Sequence, residues 1–77
     1  MKKIIIYKID WRFEEFGEEI YRKEYFSNEM AAESEYLQIK NILSKGATIV
    51  MYKQVIEEDN NFKLTKEEEE VLHYNDI

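Results

Sequence analysis

The 77-residue sequence contains no cysteine and no proline, and it has only two glycines. Without cysteine the chain has neither disulfides nor thiolate metal ligands, and nucleophilic thiol chemistry is excluded. The core must hold by packing alone, in a chain near the size at which folding buries only about 60% of the unfolded surface. We therefore expect one small domain, residues 1–77, with no deep active-site cavity and no enzymatic activity.

Long apolar runs are also missing. The N-terminal sequence MKKIIIYKID has a basic start but only four apolar residues before Lys8, whereas a signal peptide needs an apolar segment of about 7 to 15 residues. No window approaches the roughly 20 apolar residues of a membrane-spanning helix. The sequence therefore predicts a cytoplasmic protein that does not bind membranes.

Positive charge is scarce at the C-terminal end. Residues 1–56 hold nine Lys or Arg and nine Asp or Glu, so the whole formal net charge of −6 lies in an acidic C-terminal segment, residues 57–77. Affinity for nucleic acid comes from Lys and Arg that displace counterions from phosphates, so we expect no direct nucleic-acid binding. An acidic segment instead favours a protein partner with a basic surface.

The residues that are present have clear periodicity in the first half of the chain. Apolar residues occupy the odd positions from Ile5 to Phe13, and charged residues occupy Lys8, Asp10 and Arg12, which is typical of a half-buried strand. Residues 20–26 (IYRKEYF) predict a second strand in a hairpin, with a loop longer than two residues because no Asn-Gly or Asp-Gly is present. Residues 47–56 (ATIVMYKQVI) are apolar on both parities, which predicts a central or covered third strand.

A helix is predicted from about residue 28 to 45, with Ser27 as its cap and Gly46 as the left-handed residue past its end. Ala32, Tyr36, Ile39 and Leu43 form an apolar stripe that should pack on the sheet, with Ala31 and Ile42 on its shoulder. Met30 and Leu37 fall on nearly the opposite face and would need a cover.

The C-terminal sequence LTKEEEEVLHYNDI places Thr65 and Glu68 in a T-x-x-E capping box, which predicts a short helix that either covers the domain or projects from it. The predicted fold is therefore α+β in the order β-β-α-β-α. It is a three-stranded, mainly antiparallel sheet with the long helix on one face and a short C-terminal helix.

Catalytic and metal-binding motifs are absent from the sequence. His73 is the only histidine; it follows Glu69 and Glu70 at a spacing that would share a helix face, but HExxH, CxxC and a second histidine are missing. The serines lie outside any G-x-S-x-G context and no glycine-rich phosphate loop exists. We expect no metal and no cofactor.

The function that this pattern favours is a small non-enzymatic protein-interaction module. In its more specific form it is an inhibitor that presents carboxylates to a basic, nucleic-acid-binding surface, as anti-restriction and anti-CRISPR nucleic-acid mimics do. The composition is compatible with an accessory protein of an AT-rich bacterium, phage or mobile element. The alternative is a structural or assembly protein, or a homodimer, that buries excess apolar surface. The candidate acidic residues are Glu14, Glu15, Glu18, Glu19, Glu57, Glu58, Asp59, Glu67, Glu68, Glu69 and Glu70, and the candidate apolar residues are Trp11, Phe16, Met30 and Leu37.

Overall fold

A computed structural model describes residues 2–77, which form a four-stranded sheet and one helix. The strands are antiparallel throughout and lie in the order β2-β1-β3-β4, so β1 and β3 are central and β2 and β4 are the edges. The elements are β1 (Lys2–Glu15), β2 (Glu18–Phe26), α1 (Glu29–Ile42), β3 (Thr48–Glu58) and β4 (Leu64–Asp76).

The prediction of a three-stranded sheet with a short C-terminal helix is wrong, because the C-terminal segment is the fourth strand. The hydroxyl of Thr65 does not cap a helix; it donates a hydrogen bond to the carbonyl oxygen of Glu57 at 3.1 Å. Strand β3 has backbone N–H and C=O groups on the edge that β1 does not cover, and β4 pairs with this edge along the whole length of β3. The ladder of backbone hydrogen bonds therefore outweighs the helix preference of the four glutamates, which amounts to a few tenths of a kcal/mol per residue.

The expectation of a loop longer than two residues between β1 and β2 is also wrong. Glu15 pairs with Glu18, which leaves Phe16 and Gly17 as a two-residue turn. Their φ angles are 52° and 79°, and two positive values are what a type I′ hairpin turn requires. Gly17 adopts this conformation without steric cost, whereas Phe16 does not.

Helix α1 lies where the sequence places it but is shorter at both ends. Its cap is Asn28, not Ser27, and the Asn28 side-chain oxygen accepts a hydrogen bond from the backbone N–H of Ala31 at 3.0 Å. The helix ends at Ile42 rather than at residue 45, and Gly46 uses its positive φ of 97° in the turn that leads into β3. In that turn the N–H of Ala47 donates to the carbonyl of Ser44.

The core is a single layer of side chains between α1 and the middle of the sheet. The predicted helix stripe is confirmed for Ala32, Tyr36 and Ile39, which are buried, while Ile42 on its shoulder is 80% exposed. From the sheet, β1 and β3 contribute the remaining apolar residues, because the odd positions of both strands face the helix. The buried residues are Tyr7, Ile9, Ala32, Tyr36, Ile39, Ala47, Ile49 and Met51.

The molecule is long and thin, with dimensions of 48 × 25 × 14 Å. Its radius of gyration is 14.8 Å, against the roughly 11 to 12 Å expected for a compact chain of this length. The two hairpins extend past the helix in opposite directions, since β1 begins beside the β3–β4 turn and ends at the β1–β2 turn. Among the described residues there is no helix of the length and apolar character needed to cross a membrane.

Candidate interaction surfaces

Each hairpin ends in a phenylalanine that is held in the left-handed backbone region. Phe16 has φ 52° and Phe62 has φ 61°, and they are the only non-glycine residues of positive φ in residues 2–77. Their side chains are 96% and 79% exposed. A bulky residue in this region is an outlier, and an exposed one gains no packing in return. Both turns therefore carry a local cost that the fold itself does not explain.

The β1–β2 tip, residues 14–19, combines Phe16 with four carboxylates. The register places Glu14 opposite Glu19 and Glu15 opposite Glu18, so like charges face each other directly. Glu19 has an ion pair with the Arg12 guanidinium at 2.8 Å. Among the described residues, none of the other three carboxylates has a Lys or Arg within ion-pair distance. This tip is a compact, mainly uncompensated negative site around an exposed aromatic ring.

The β3–β4 tip, residues 59–63, is organised by Asp59. Its side-chain oxygen accepts hydrogen bonds from the backbone N–H groups of Asn61 and Lys63, at 2.8 and 2.9 Å. Its backbone accepts from the N–H of Phe62. Phe62 was absent from the candidate residues because the sequence predicts it as part of a packed C-terminal segment. The Asp-Asn-Asn-Phe-Lys turn composition is the signal that pointed to its exposure.

Several of the remaining acidic candidates lie opposite or beside lysines in the sheet. The register puts Lys3 opposite Glu57, Lys2 opposite Glu58 and Lys53 opposite Glu70. Glu68 has an ion pair with Lys66 at 3.1 Å, and this pair raises the pKa of the Lys66 ammonium. Lys2, Lys3 and Lys53 come from other strands, so counting the charges of residues 57–77 alone misses them.

The four consecutive glutamates are split between the two faces of β4, as strand geometry requires. Glu69 lies on the face opposite α1, where it accepts a hydrogen bond from the Gln54 amide at 2.7 Å and pairs with Lys8 at 3.5 Å. Burial disfavours the charged form of Lys8, but its ion pairs with Asp10 and Glu69 outweigh this and raise its pKa. The run is therefore an edge-strand feature and not a helix start.

The apolar candidates do not form one surface. Trp11 is half-buried and packs against the core. Phe16 is at the β1–β2 tip, whereas Met30 and Leu37 are 80% and 56% exposed on the outer side of α1. No C-terminal helix covers Met30 and Leu37, which corrects the expectation of a cover.

His73 does not share a helix face with Glu69 and Glu70, because β4 is a strand. Its ring lies 5.3 Å from the Tyr36 ring, and its Nε2 atom is 3.5 Å from a carboxylate oxygen of Glu33 on α1. Among the described residues, no group of three or more His, Cys, Asp or Glu side chains is arranged to hold a metal ion. His73 thus contributes to the contact between β4 and α1.

Tyr36 provides a pH-dependent test of the same junction. Its hydroxyl donates to the side-chain oxygen of Asn75 at 2.6 Å, and burial raises its pKa above the ordinary 10.0. The folded state holds this proton more tightly than the unfolded state, so the contribution is complete below about pH 10 and is lost as the pH rises through the folded pKa.

We therefore expect Tyr36→Phe to destabilise the protein by about 1 kcal/mol at neutral pH and by less under alkaline conditions. Urea unfolding of both proteins between about pH 8 and pH 11 measures this, since the range brackets the tyrosine pKa. A stability difference that stays constant over the range would contradict the role of the Tyr36 hydroxyl.

Comparisons of the chain with family models, with curated proteins and with solved structures found no match. The functional argument therefore rests on the surfaces described above.

Proposed function

We propose that this protein is a non-enzymatic interaction module that inserts its acidic β1–β2 tip into a basic groove of a partner protein. The observation that carries the proposal is Phe16, which is 96% exposed in a strained turn conformation with glutamates on both sides. Backbone strain at an exposed bulky residue favours a functional role, because an Asn at this position of a type I′ turn is the more stable choice.

The combination of one aromatic ring and several carboxylates indicates the chemistry of the partner. Binding interfaces commonly have a central aromatic anchor in a pocket, surrounded by charged residues that guide association. At the β1–β2 tip, Phe16 is the anchor and Glu14, Glu15 and Glu18 are the charges. The partner groove should therefore offer an apolar or aromatic pocket among Lys and Arg side chains.

A groove of that description is typical of proteins that bind single-stranded nucleic acid, which combine positive charge along the backbone path with aromatic stacking platforms. We propose that the glutamates take the place of phosphates and Phe16 takes the place of a base. An inhibitor that works as a nucleic-acid mimic is the form of this function that the tip supports best. The β3–β4 tip offers a second exposed aromatic ring, Phe62, at the other end of the molecule.

Phe16→Asn is the variant that separates this function from folding. Asn accepts the left-handed conformation far better than Phe, so we expect the free energy of unfolding to stay equal or to rise by up to about 1 kcal/mol. Loss of an aromatic anchor typically costs at least 2 kcal/mol of binding energy, which is about a 30-fold loss of affinity. Thermal unfolding and partner capture from lysate of the native host, measured at low and high salt, give the two results.

Met30→Asn is the matched control, because Met30 is also a largely exposed apolar residue, on the outer side of α1. It should leave both the captured protein and its salt dependence unchanged. Capture of a basic protein that is lost with Phe16→Asn and weakened by salt supports the proposal. Capture that persists in Phe16→Asn but fails in Met30→Asn would move the binding site to the helix and reject the tip.

A further inference from the structure

Strand β2 is a sheet edge with no protein neighbour on its outer side among the described residues. The turn at Phe16 and Gly17 makes Glu15 and Glu18 a hydrogen-bonded pair, and such pairs alternate along an antiparallel ladder. The backbone groups of Tyr21, Lys23 and Tyr25 therefore point outward from the sheet. The Arg22 side chain donates a hydrogen bond to the carbonyl oxygen of Tyr21 at 3.3 Å, which agrees with an outward orientation of this carbonyl group.

The residue order along this edge is self-complementary. The sequence IYRKEYF reads from residue 20 to 26, and residues at equal distance from the central Lys23 are chemically matched. When two copies pair in antiparallel orientation, the outer residues, which are aliphatic or aromatic, lie opposite each other. The residues on either side of Lys23 also lie opposite each other, and their charges are opposite. The pairs are Ile20 with Phe26, Tyr21 with Tyr25, and Arg22 with Glu24, each occurring twice, and Lys23 with itself once.

We propose that two copies of this chain pair through β2 in antiparallel orientation, with a two-fold axis perpendicular to the sheet at Lys23. The occupant of the free edge is thus a second copy, and the product is a continuous eight-stranded sheet. With a two-fold axis perpendicular to the sheet, both helices lie on the same face of the joined sheet. The two residues of each cross-strand pair must then have residue numbers whose sum is even, so that both lie on the same face. The centre at Lys23 satisfies this condition.

The charge pattern selects this register over its neighbours. A two-fold axis at Arg22 would set two guanidinium groups opposite each other and place Ile20 opposite Glu24. An axis at Glu24 would set two carboxylates opposite each other and place Arg22 against Phe26. Each of the three registers has one like-charge pair on its axis, and for the axis at Lys23 this pair is Lys23 with itself. Only the axis at Lys23 adds cross-strand pairs of opposite charge and of aromatic residues, each of which contributes about 0.2 to 1 kcal/mol.

Arg22 and Glu24 are both available for such pairing. They lie on the α1 side of the sheet, opposite Trp11 and Ile9 of β1, and both are exposed. Neither has an ion pair within residues 2–77. Pairing leaves both β1–β2 tips free, because the tip continues past the paired residues 20–26. The dimer therefore does not depend on the proposed function of Phe16.

The other edge of the sheet, strand β4, disfavours self-pairing. Strand β4 carries four consecutive glutamates, and antiparallel self-pairing through them would oppose carboxylates on both faces. The asymmetry between the edges favours a closed dimer over an open chain of sheets. A contact of one short strand is at the small end of specific interfaces, so we expect a dissociation constant of about 1 to 100 μM.

The test is a complementation experiment in the analytical ultracentrifuge, from about 1 μM to about 500 μM protein, which brackets that affinity. Arg22→Glu alone opposes Glu with Glu across the axis, and Glu24→Arg alone opposes Arg with Arg. Each variant should be at least tenfold weaker in dimerisation than the wild type. Mixed in equal amounts they should form a heterodimer of near wild-type affinity, because both cross-strand ion pairs are restored.

Lys45→Glu is the charge-matched control for Arg22→Glu, because it changes the net charge equally at an exposed position in the turn after α1. Lys45→Glu by itself should dimerise with the affinity of the wild type, because its residues 20–26 are unchanged. Lys23→Thr should strengthen the wild-type dimer, since it removes the single like-charge pair and adds a strand-forming residue. Circular dichroism of each variant confirms folding before it is mixed.

A monomeric wild type over the whole range would overturn the proposal, as would a dimer whose affinity is unchanged in both single variants. Dimerisation that is weakened in Lys45→Glu as strongly as in Arg22→Glu would show a general charge effect and would also reject the β2 pairing.

Discussion

Met51→Ala is expected to remove 2 to 5 kcal/mol of stability, the usual cost of truncating a buried methionine. Met51 is fully buried at the centre of β3, opposite Ile9 of β1 and His73 of β4. The core beneath α1 is one layer thick, so few side chains are available to close the cavity. For a chain of this size the total stability is about 4 to 12 kcal/mol, so a loss of this magnitude leaves a large unfolded fraction.

Met30→Ala provides the control, since it deletes the same atoms from a side chain that is 80% exposed on α1. It should change the free energy of unfolding by no more than about 0.5 kcal/mol. Urea unfolding of the two variants and the wild type gives the comparison. Equal losses in both variants would mean that α1 does not pack on the sheet through the face described here.

Replacement of Glu67, Glu68, Glu69 and Glu70 by Gln is expected to make the protein aggregate. Strand β4 is a 13-residue sheet edge, and long edges are templates for pairing with further chains unless charge protects them. Gln preserves the size of each side chain but removes the repulsion, and Gln-rich edges stack readily. Light scattering and thioflavin fluorescence over several hours of incubation measure the change.

The matched control removes the same charge from the β1–β2 tip, by Gln substitution of Glu14, Glu15, Glu18 and Glu19. Both quadruple variants have a net charge of −2, which is the −6 of the wild type plus four. Only the β4 variant exposes an unprotected long edge, so only it should aggregate. Equal aggregation of both variants would assign the effect to net charge. If neither variant aggregated, the result would contradict a protective role of the β4 glutamates.

The sheet interior and the helix were predictable because their signals are local and redundant. Alternation from Ile5 to Phe13 predicts β1, and the 3.6-residue stripe of Ala32, Tyr36 and Ile39 predicts the buried face of α1. Apolar residues on both parities of residues 47–56 predict the central position of β3, which the sheet order confirms. In these segments, burial of apolar area and local backbone preference favour the same structure.

The C-terminal strand was not predictable in the same way, because its local and non-local signals conflict. Four glutamates after Thr65 favour a helix start, while β3 leaves an open edge that only a strand can pair with. A conflict of this kind is also the reason why the sequence did not predict the candidate site at the β1–β2 tip. The turn at Phe16 has an unfavourable residue for its conformation, so turn rules predicted a longer loop and not the strained two-residue tip.

By itself, the sequence determined that β1, β3 and α1 bury apolar faces. It also determined that the chain has no disulfides and an excess of negative charge. Only the tertiary structure decided which segments become neighbours. It brought Lys2, Lys3 and Lys53 beside the C-terminal glutamates and left Phe16 and Phe62 at opposite ends of the sheet. The physical reason is that strand pairing joins residues that are distant along the chain, so register, edge position and charge compensation are properties of the sheet and of no single segment.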